Sequence, residues 1–183
     1  AHSKASAPRP PPEQRQERRA GDAVVLMSNP SPVIKSAGLL LTRLRNGRGP
    51  PEVLAIRRRW NTWEFPKGRV DDDDRDNLAC AIREMKEEAG VILDPPEGSC
   101  SEIGREKYNT RMGPKVVYWF HHHTIEEVKY GGREEATKEV VFYTLEELGT
   151  LRMIDEKLYQ MAEETLSKIS TRGATRTPGP SLP

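Results

Sequence analysis

Three glutamates stand close together in the segment REMKEEAG, residues 83–90. Glu84, Glu87 and Glu88 are spaced so that, on a helix, their carboxylates lie along one edge. They fall in the last turn before Gly90, where the negative end of the helix dipole disfavours anions. A solvated Glu/Lys face is the commoner meaning of such a cluster. A bound divalent cation would remove the conflict, because Mg²⁺ prefers carboxylate oxygens.

A helix over residues 77–89 would position these glutamates. The apolar residues at 78, 82, 85 and 89 form one stripe for packing, and Gly90 is placed to end the helix. Upstream, Gly68 leads an acidic loop, 71–74, into the helix. Because glycine lacks a side chain, its backbone can approach a bound ion closely.

Read together, residues 68–91 resemble the signature of the Nudix hydrolases, which is a glycine, a loop with a glutamate, then R-E-apolar-x-E-E-x-G-apolar. The positions that match are Arg83, Glu84, Met85, Glu87, Glu88, Gly90 and Val91. Two features differ from the family pattern. The stretch from Gly68 to Arg83 is one residue longer, and Asp73 or Asp74 stands where the family has a glutamate that pairs with the arginine.

The resemblance implies metal-dependent hydrolysis of a pyrophosphate bond in a nucleotide substrate, with Mg²⁺ or Mn²⁺ as cofactor. The residues that it makes metal ligands are Gly68, Glu84, Glu87 and Glu88. Glu87 and Glu88 are also expected to act in catalysis, and Arg83 to orient Glu87 or a neighbouring acid. A further base is expected from the loop before the last strand, where the candidates are Glu134, Glu135 and Glu139 and Glu135 is favoured.

The lead-in TWEFPKG, 62–68, is similar to that of three Nudix branches: dinucleoside polyphosphate hydrolases, diphosphoinositol polyphosphate hydrolases, and RNA 5′-end pyrophosphohydrolases including decapping enzymes. Lys67 and Arg57, within the run 57–59, are predicted to contact phosphates, although charges that guard an edge strand are the alternative. The candidates for stacking on a base are Trp60, Trp63 and Tyr118. Core packing is the alternative for each of them.

The predicted substrate is therefore a dinucleoside polyphosphate or an RNA 5′ end. One alternative is a catalytically weak or inactive Nudix module that binds nucleotide or RNA within an RNA-processing complex, together with protein partners. Another is a diphosphoinositol polyphosphate hydrolase, which would require more basic residues around the pocket.

The order of elements predicts an α/β fold, a Nudix-type α/β/α sandwich with a mixed β-sheet. Strands are expected at 24–28, 36–44, 52–59, 62–65, 102–110, 115–124 and 139–144, and helices at 77–89 and about 151–169. Residues 1–22 and 171–183 lack apolar periodicity, so a disordered arm and a disordered tail are predicted around a domain at 23–170.

The amino-acid composition bears on the partners and the compartment that are expected for this protein. Among 183 residues, Lys+Arg is 29 and Asp+Glu is 28. The chain therefore lacks the excess of basic residues that is typical of proteins that bind duplex nucleic acid. No apolar run approaches the roughly 18 residues of a membrane span, so no membrane partner is expected. Two cysteines without a C-x-x-C motif indicate a reducing, intracellular compartment, cytoplasmic or, given the arginine-bearing arm, mitochondrial.

Overall fold

One long strand pairs with three others and organises the sheet. The structure, a computed structural model, describes residues 32–151 and 154–174. Its strands and helices, in chain order, are β1 (Ile34–Leu44), β2 (Pro51–Arg58), β3 (Trp63–Glu64), β4 (Lys67–Arg69), α1 (Asn77–Ala89), β5 (Val91–Ile92), β6 (Cys100–Thr110), β7 (Gly113–His123), β8 (Lys129–Tyr130), β9 (Thr137–Thr144), α2 (Leu145–Gly149) and α3 (Glu156–Ala174). The predicted strand at 24–28 and the predicted arm lie outside the described residues.

The main sheet is mixed, as predicted. Its path runs β3-β2-β1-β7-β6, with β4 paired to β1 and β9 paired to β2. Strand β1 runs parallel to β7 and antiparallel to β2 and β4. Strands β2 and β4 pair with opposite ends of β1, so the chain returns to the central strand at Gly68, opposite Ala37.

Helices cover the sheet on two faces. Alternate residues of β1 point to opposite faces, and Leu39 and Leu41 belong to one core cluster while Leu40 belongs to the other. The first cluster includes Cys80, Ala81 and Met85 of α1. The second includes Leu158, Ala162 and Leu166 of α3. The predicted α/β/α sandwich is therefore confirmed.

Helix α1 has the predicted bounds, and local capping sets both of its ends. The Asp76 carboxylate accepts a hydrogen bond from the Ala79 N–H at 2.8 Å, which satisfies a backbone donor at the helix start. At the other end Gly90 adopts φ +71°, and its N–H donates to the Lys86 carbonyl at 2.9 Å. A left-handed glycine is a usual way to end a helix, so the prediction for Gly90 is confirmed.

The C-terminal region differs from the prediction. Helix α3 begins at Glu156 instead of about 151, because Ile154 makes an extended bridge with Trp63. The chain forms the short helix α2 first, which the sequence analysis missed although the Thr144–Glu147 capping box marks its start. Helix α3 continues into the segment predicted as a tail and reaches Ala174. In the described residues, none of the helices combines the length and apolar character that a membrane span requires.

Gly38, the one glycine of β1, leaves no room for a side chain. A methyl group there would lie 2.4 Å from Trp119 Cζ3 and 2.8 Å from the Pro66 carbonyl oxygen. We expect Gly38→Ala to lower the free energy of unfolding by about 2 kcal/mol, because an overpacked core must shift. Gly104→Ala, on β6 with no atom within 4 Å of the added methyl, should leave it unchanged or slightly higher. Urea titrations of both variants measure this, and equal stabilities would contradict it.

Candidate active site

The pairing of β4 with β1 places Gly68 directly against helix α1. A Cβ atom at Gly68 would lie 2.0 Å from Glu84 Oε1, so only glycine leaves room for this carboxylate. Glu84 is 8% exposed, and its burial raises the pKa of its carboxyl group above the ordinary value, against the lowering effect of Arg83. Helix α1 therefore carries a buried carboxylate next to the backbone of β4.

The second buried carboxylate of α1 is Glu88, which is 5% exposed. Its Oε2 accepts a hydrogen bond from the Lys67 backbone N–H at 2.9 Å. Its Oε1 accepts from Arg58 Nη2 at the end of β2. A buried carboxylate is costly unless it is paired and hydrogen-bonded, and both oxygens of Glu88 meet this requirement.

Arg83 donates hydrogen bonds to a loop aspartate and to two glutamates of α1. Its Nε and Nη2 donate to Asp74 Oδ1 and Oδ2 at 3.0 and 2.8 Å, a two-pronged geometry that suits arginine and carboxylate. Its Nη1 donates to Glu84 Oε1 at 2.9 Å and to Glu87 Oε2 at 3.0 Å. Asp71, in the same loop, lies farther away, at 3.5 Å from Arg83 Nη2. Of Asp73 and Asp74, it is Asp74 that pairs with Arg83, whereas Asp73 is exposed. The sequence had left these two aspartates open.

The glutamates of α1 present the donor chemistry of a site for a hard divalent cation. Carboxylate oxygens are the ligands that Mg²⁺ and Mn²⁺ prefer, and a positive nitrogen already lies within 3.0 Å of both Glu84 and Glu87. As the side chains stand in the described residues, no three His, Cys, Asp or Glu groups are gathered to hold one ion. The carboxylates instead face Arg58 and Arg83. The residues fit such a cation provided that these carboxylates turn from the arginines.

The loop before β9 lies beside the last turn of α1. The Glu134 N–H donates to the Glu87 carbonyl at 2.8 Å, and Glu134 Oε2 lies 3.4 Å from Arg58 Nη1. Glu139 instead forms an ion pair with Arg57. Glu135, which the sequence analysis favoured as a base, is exposed and makes no side-chain hydrogen bond or ion pair within the described part of the chain. The structure thus places Glu134, of the three candidates, next to the α1 glutamates.

The predicted substrate-binding residues are in different surroundings. Lys67 pairs with Glu64 at 2.6 Å and, with Trp63, lines a cavity of about 620 Å³ that reaches α3. Trp63 is 8% exposed and packs edge-on against Tyr143, so it is chiefly a core residue.

The other predicted contacts lie elsewhere on the strands. Tyr118 packs beneath the guanidinium of Arg105 at 4.8 Å. Arg57 is engaged with Glu139 and with Asn61 of the β2–β3 turn. Trp60 is 82% exposed and borders an open cavity of about 460 Å³.

Arg58 is the contact that the sequence analysis failed to single out. It lies within the basic run at 57–59, but alternation along a strand sends neighbouring side chains to opposite faces. Only the pairing of β2 with its neighbours shows that Arg58, rather than Arg57, reaches Glu88.

Asp74 should make the fold sensitive to acid. The hydrogen bonds from Arg83 lower the pKa of Asp74 from 3.8 to about 2. Its contribution to the free energy of unfolding, about 2 kcal/mol, is therefore present above about pH 4 and is lost as the pH falls towards 2. Asp74→Asn should lower stability at pH 7 by this amount and flatten the loss between pH 4 and 2.5. Asp73→Asn, at the exposed neighbour, should behave as wild type. Parallel pH profiles for wild type and Asp74→Asn in urea titrations would refute this.

Comparisons with solved structures show the same fold. The NUDIX domain of Shewanella oneidensis NrtR complexed with ADP-ribose covers 75% of this chain and 89% of its own, with a TM-score of 0.61 and 14% identity. A MutT protein from Methanosarcina mazei Go1 covers 78% and 99%, with a TM-score of 0.56 and 19% identity. An Ap4A hydrolase binary complex from C. elegans covers 75% and 98%, with a TM-score of 0.55 and 20% identity. At these identities the likeness concerns the fold. Among curated proteins no sequence match was found.

The family is given by a domain model. The model described as NUDIX domain matches residues 35–164, which is more than half of the chain. That range contains every strand of the main sheet except the first residue of β1, together with α1, α2 and the Gly68–Val91 signature. The chain therefore belongs to the Nudix family.

Proposed function

We propose that this chain hydrolyses a pyrophosphate bond in a nucleotide substrate, a dinucleoside polyphosphate or an RNA 5′ end, with Mg²⁺ or Mn²⁺ bound by the glutamates of α1. The observation that carries the proposal is the pair of buried carboxylates, Glu84 and Glu88, held against the Gly68 and Lys67 backbone. A protein core tolerates buried acids only with strong compensation. Their placement at a helix C-terminus, on the catalytic signature of the family, is best explained by cation binding.

The residues that would hold the cation are Glu84, Glu87 and Glu88, with the Gly68 carbonyl as a further oxygen ligand. The bound metal would neutralise the pyrophosphate and make an attacking water more acidic. Arg83 is fixed by Asp74, so it acts as a positioning residue that keeps Glu84 and Glu87 on one edge of the helix. Lys67 is suited to binding a phosphate oxygen of the substrate, since it is the lysine that lines the cavity of about 620 Å³.

We assign the role of general base to Glu134 in place of Glu135. Glu134 is tied to α1 through the Glu87 carbonyl, and its Oε2 faces the site at Arg58. Its side chain is 49% exposed, which suits a group that takes a proton from water at Oε2 and passes it to solvent. A general base must lie within reach of the attacking water, and this loop geometry supports Glu134.

The cavity of about 620 Å³ supports a nucleotide over an inositol polyphosphate. It is lined by apolar groups from Trp63, Ile154 and Leu158 and by three acids, against one lysine, Lys67. Such a lining suits a flat base with donor groups at its edge, whereas a polyphosphorylated ring would meet repulsion. Of the structures with the same fold, one is an Ap4A hydrolase and another is a complex with ADP-ribose. Ap4A and ADP-ribose both carry adenosine on a phosphate chain.

A substrate panel with Mg²⁺ and Mn²⁺ tests the function. Wild-type protein should release phosphate or nucleotide from dinucleoside polyphosphates or from triphosphorylated RNA, and Glu87→Gln and Glu88→Gln should lower kcat by orders of magnitude because they remove metal ligands. Glu163→Gln, on the exposed side of α3, is the matched control and should retain full activity. Tight nucleotide or RNA binding without turnover on any substrate would instead favour the binding-module alternative.

Glu134 and its neighbour provide a paired test of the base. Glu134→Gln should lower kcat by roughly 100-fold, within the range for lost general-base catalysis, with little change in Mn²⁺ affinity. Glu135→Gln should stay within twofold of wild type. The reverse ranking of kcat would restore Glu135 as the base.

A further inference from the structure

Arg58 has one close acidic partner and several distant ones. Its Nη2 contacts Glu88 Oε1 directly. Its next contacts are longer: 3.4 Å to Glu134, 3.5 Å to Thr137 and 3.9 Å to Glu64. The side chain is 20% exposed and lies on the wall of the open cavity of about 460 Å³. Arg58 therefore depends mainly on Glu88 and has open space beside it.

The other arginine of the site is held in a different way. Arg83 grips both oxygens of Asp74, at 3.0 and 2.8 Å, and donates to the Arg69 carbonyl at 2.9 Å. These three bonds do not involve the α1 glutamates. If Glu84 and Glu87 turned to another cation, Arg83 would keep its anchor, whereas Arg58 would lose its shortest contact.

We propose that Arg58 is a displaceable counter-cation: its guanidinium neutralises Glu88 while no metal is bound, and it passes to a phosphate oxygen of the substrate once a metal ion takes that carboxylate. The inference rests on the proposed function, since it needs Glu88 as a metal ligand and a phosphorylated substrate. Arg58 would then link the binding of the two.

The charge of Glu88 explains why such a group is needed. With 5% exposure, an unpaired Glu88 carboxylate would be strongly destabilising. One hydrogen bond comes from the Lys67 N–H, which carries no net charge, so Arg58 supplies the positive charge. A divalent cation on Glu88 and a guanidinium on the same carboxylate repel each other, so the two compete.

The departing guanidinium has a suitable destination. Arg58, Arg59 and Trp60 line the same open cavity, together with Glu64 and Glu134. Arginine forms two-pronged bonds with phosphate, and the highest density of negative charge near a loaded site is the pyrophosphate itself. By reciprocity, if metal binding frees Arg58 for the substrate, substrate binding must tighten metal binding by the same factor.

The proposal predicts opposite effects on two ligands from one substitution. With no substrate, Arg58→Gln should tighten Mn²⁺ binding at least about fivefold, at the lower end of usual coupling, because the competing cation is gone. On the Mn²⁺-loaded protein, Arg58→Gln should weaken binding of methylenediphosphonate, a non-hydrolysable diphosphate, by about fivefold or more. A residue that only supports the fold would weaken both.

Mn²⁺ binding is measured by electron paramagnetic resonance of the free ion, and methylenediphosphonate by calorimetry. Arg59→Gln removes the same charge one position away, at an exposed residue without an ion pair in the described ranges, and should leave Mn²⁺ affinity within twofold of wild type. Since Arg58→Gln destabilises the metal-free fold, Arg58→Lys is measured beside it. Lysine keeps the charge and loses the planar fork, so its Mn²⁺ affinity should fall between those of wild type and Arg58→Gln.

The outcomes separate this inference from the proposed function. Both are overturned if the wild-type protein binds no Mn²⁺, or if Glu88→Gln binds Mn²⁺ as tightly as wild type does. If wild type binds Mn²⁺ through Glu88 while Arg58→Gln and Arg58→Lys bind it no more tightly, the metal site stands and the counter-cation role is wrong. Equal tightening by Arg59→Gln would reduce the effect to net charge and also overturn the role.

Discussion

Two buried carboxylates near the C-terminal end of α1 determine which charged and hydrogen-bonding groups must surround them. Glu84 and Glu88 are nearly enclosed, at 8% and 5% exposure, where unpaired anions are strongly unfavourable. The surrounding groups meet that requirement with positive charge and N–H donors: Arg83 on one, Arg58 and a backbone amide on the other. The fold thus keeps a strongly anionic site intact by compensating it internally.

The sheet topology brings these compensating groups together. Strand β2 carries Arg58 to the site, and β4 returns to β1 with Gly68 and the Lys67 amide. The acidic loop after β4 then supplies Asp74 to Arg83. Each group is distant in sequence from the glutamate it serves, apart from Arg83 itself, so the arrangement depends on strand pairing rather than on local propensity.

How far the sequence could predict this follows from which interactions are local. The bounds of α1, its Gly90 end and the alternation that builds two core layers were predictable, because they depend on helical and strand periodicity. The capping box at Thr144 was also readable, although it was missed. The partners of Arg58, the core position of Trp63 and the late start of α3 arise from contacts between residues far apart in the chain. Spacing alone does not encode such contacts.

The junction between Gly90 and the β8–β9 loop has a consequence for how this region tolerates change. The Gly131 N–H bonds the Gly90 carbonyl at 2.6 Å, and the Glu134 N–H bonds the Glu87 carbonyl at 2.8 Å. These two hydrogen bonds fix residues 131–134 to the C-terminal end of α1. A change in the length of the β7–β8 connection, residues 124–128, therefore leaves the distance from Glu134 to the acids of α1 unchanged.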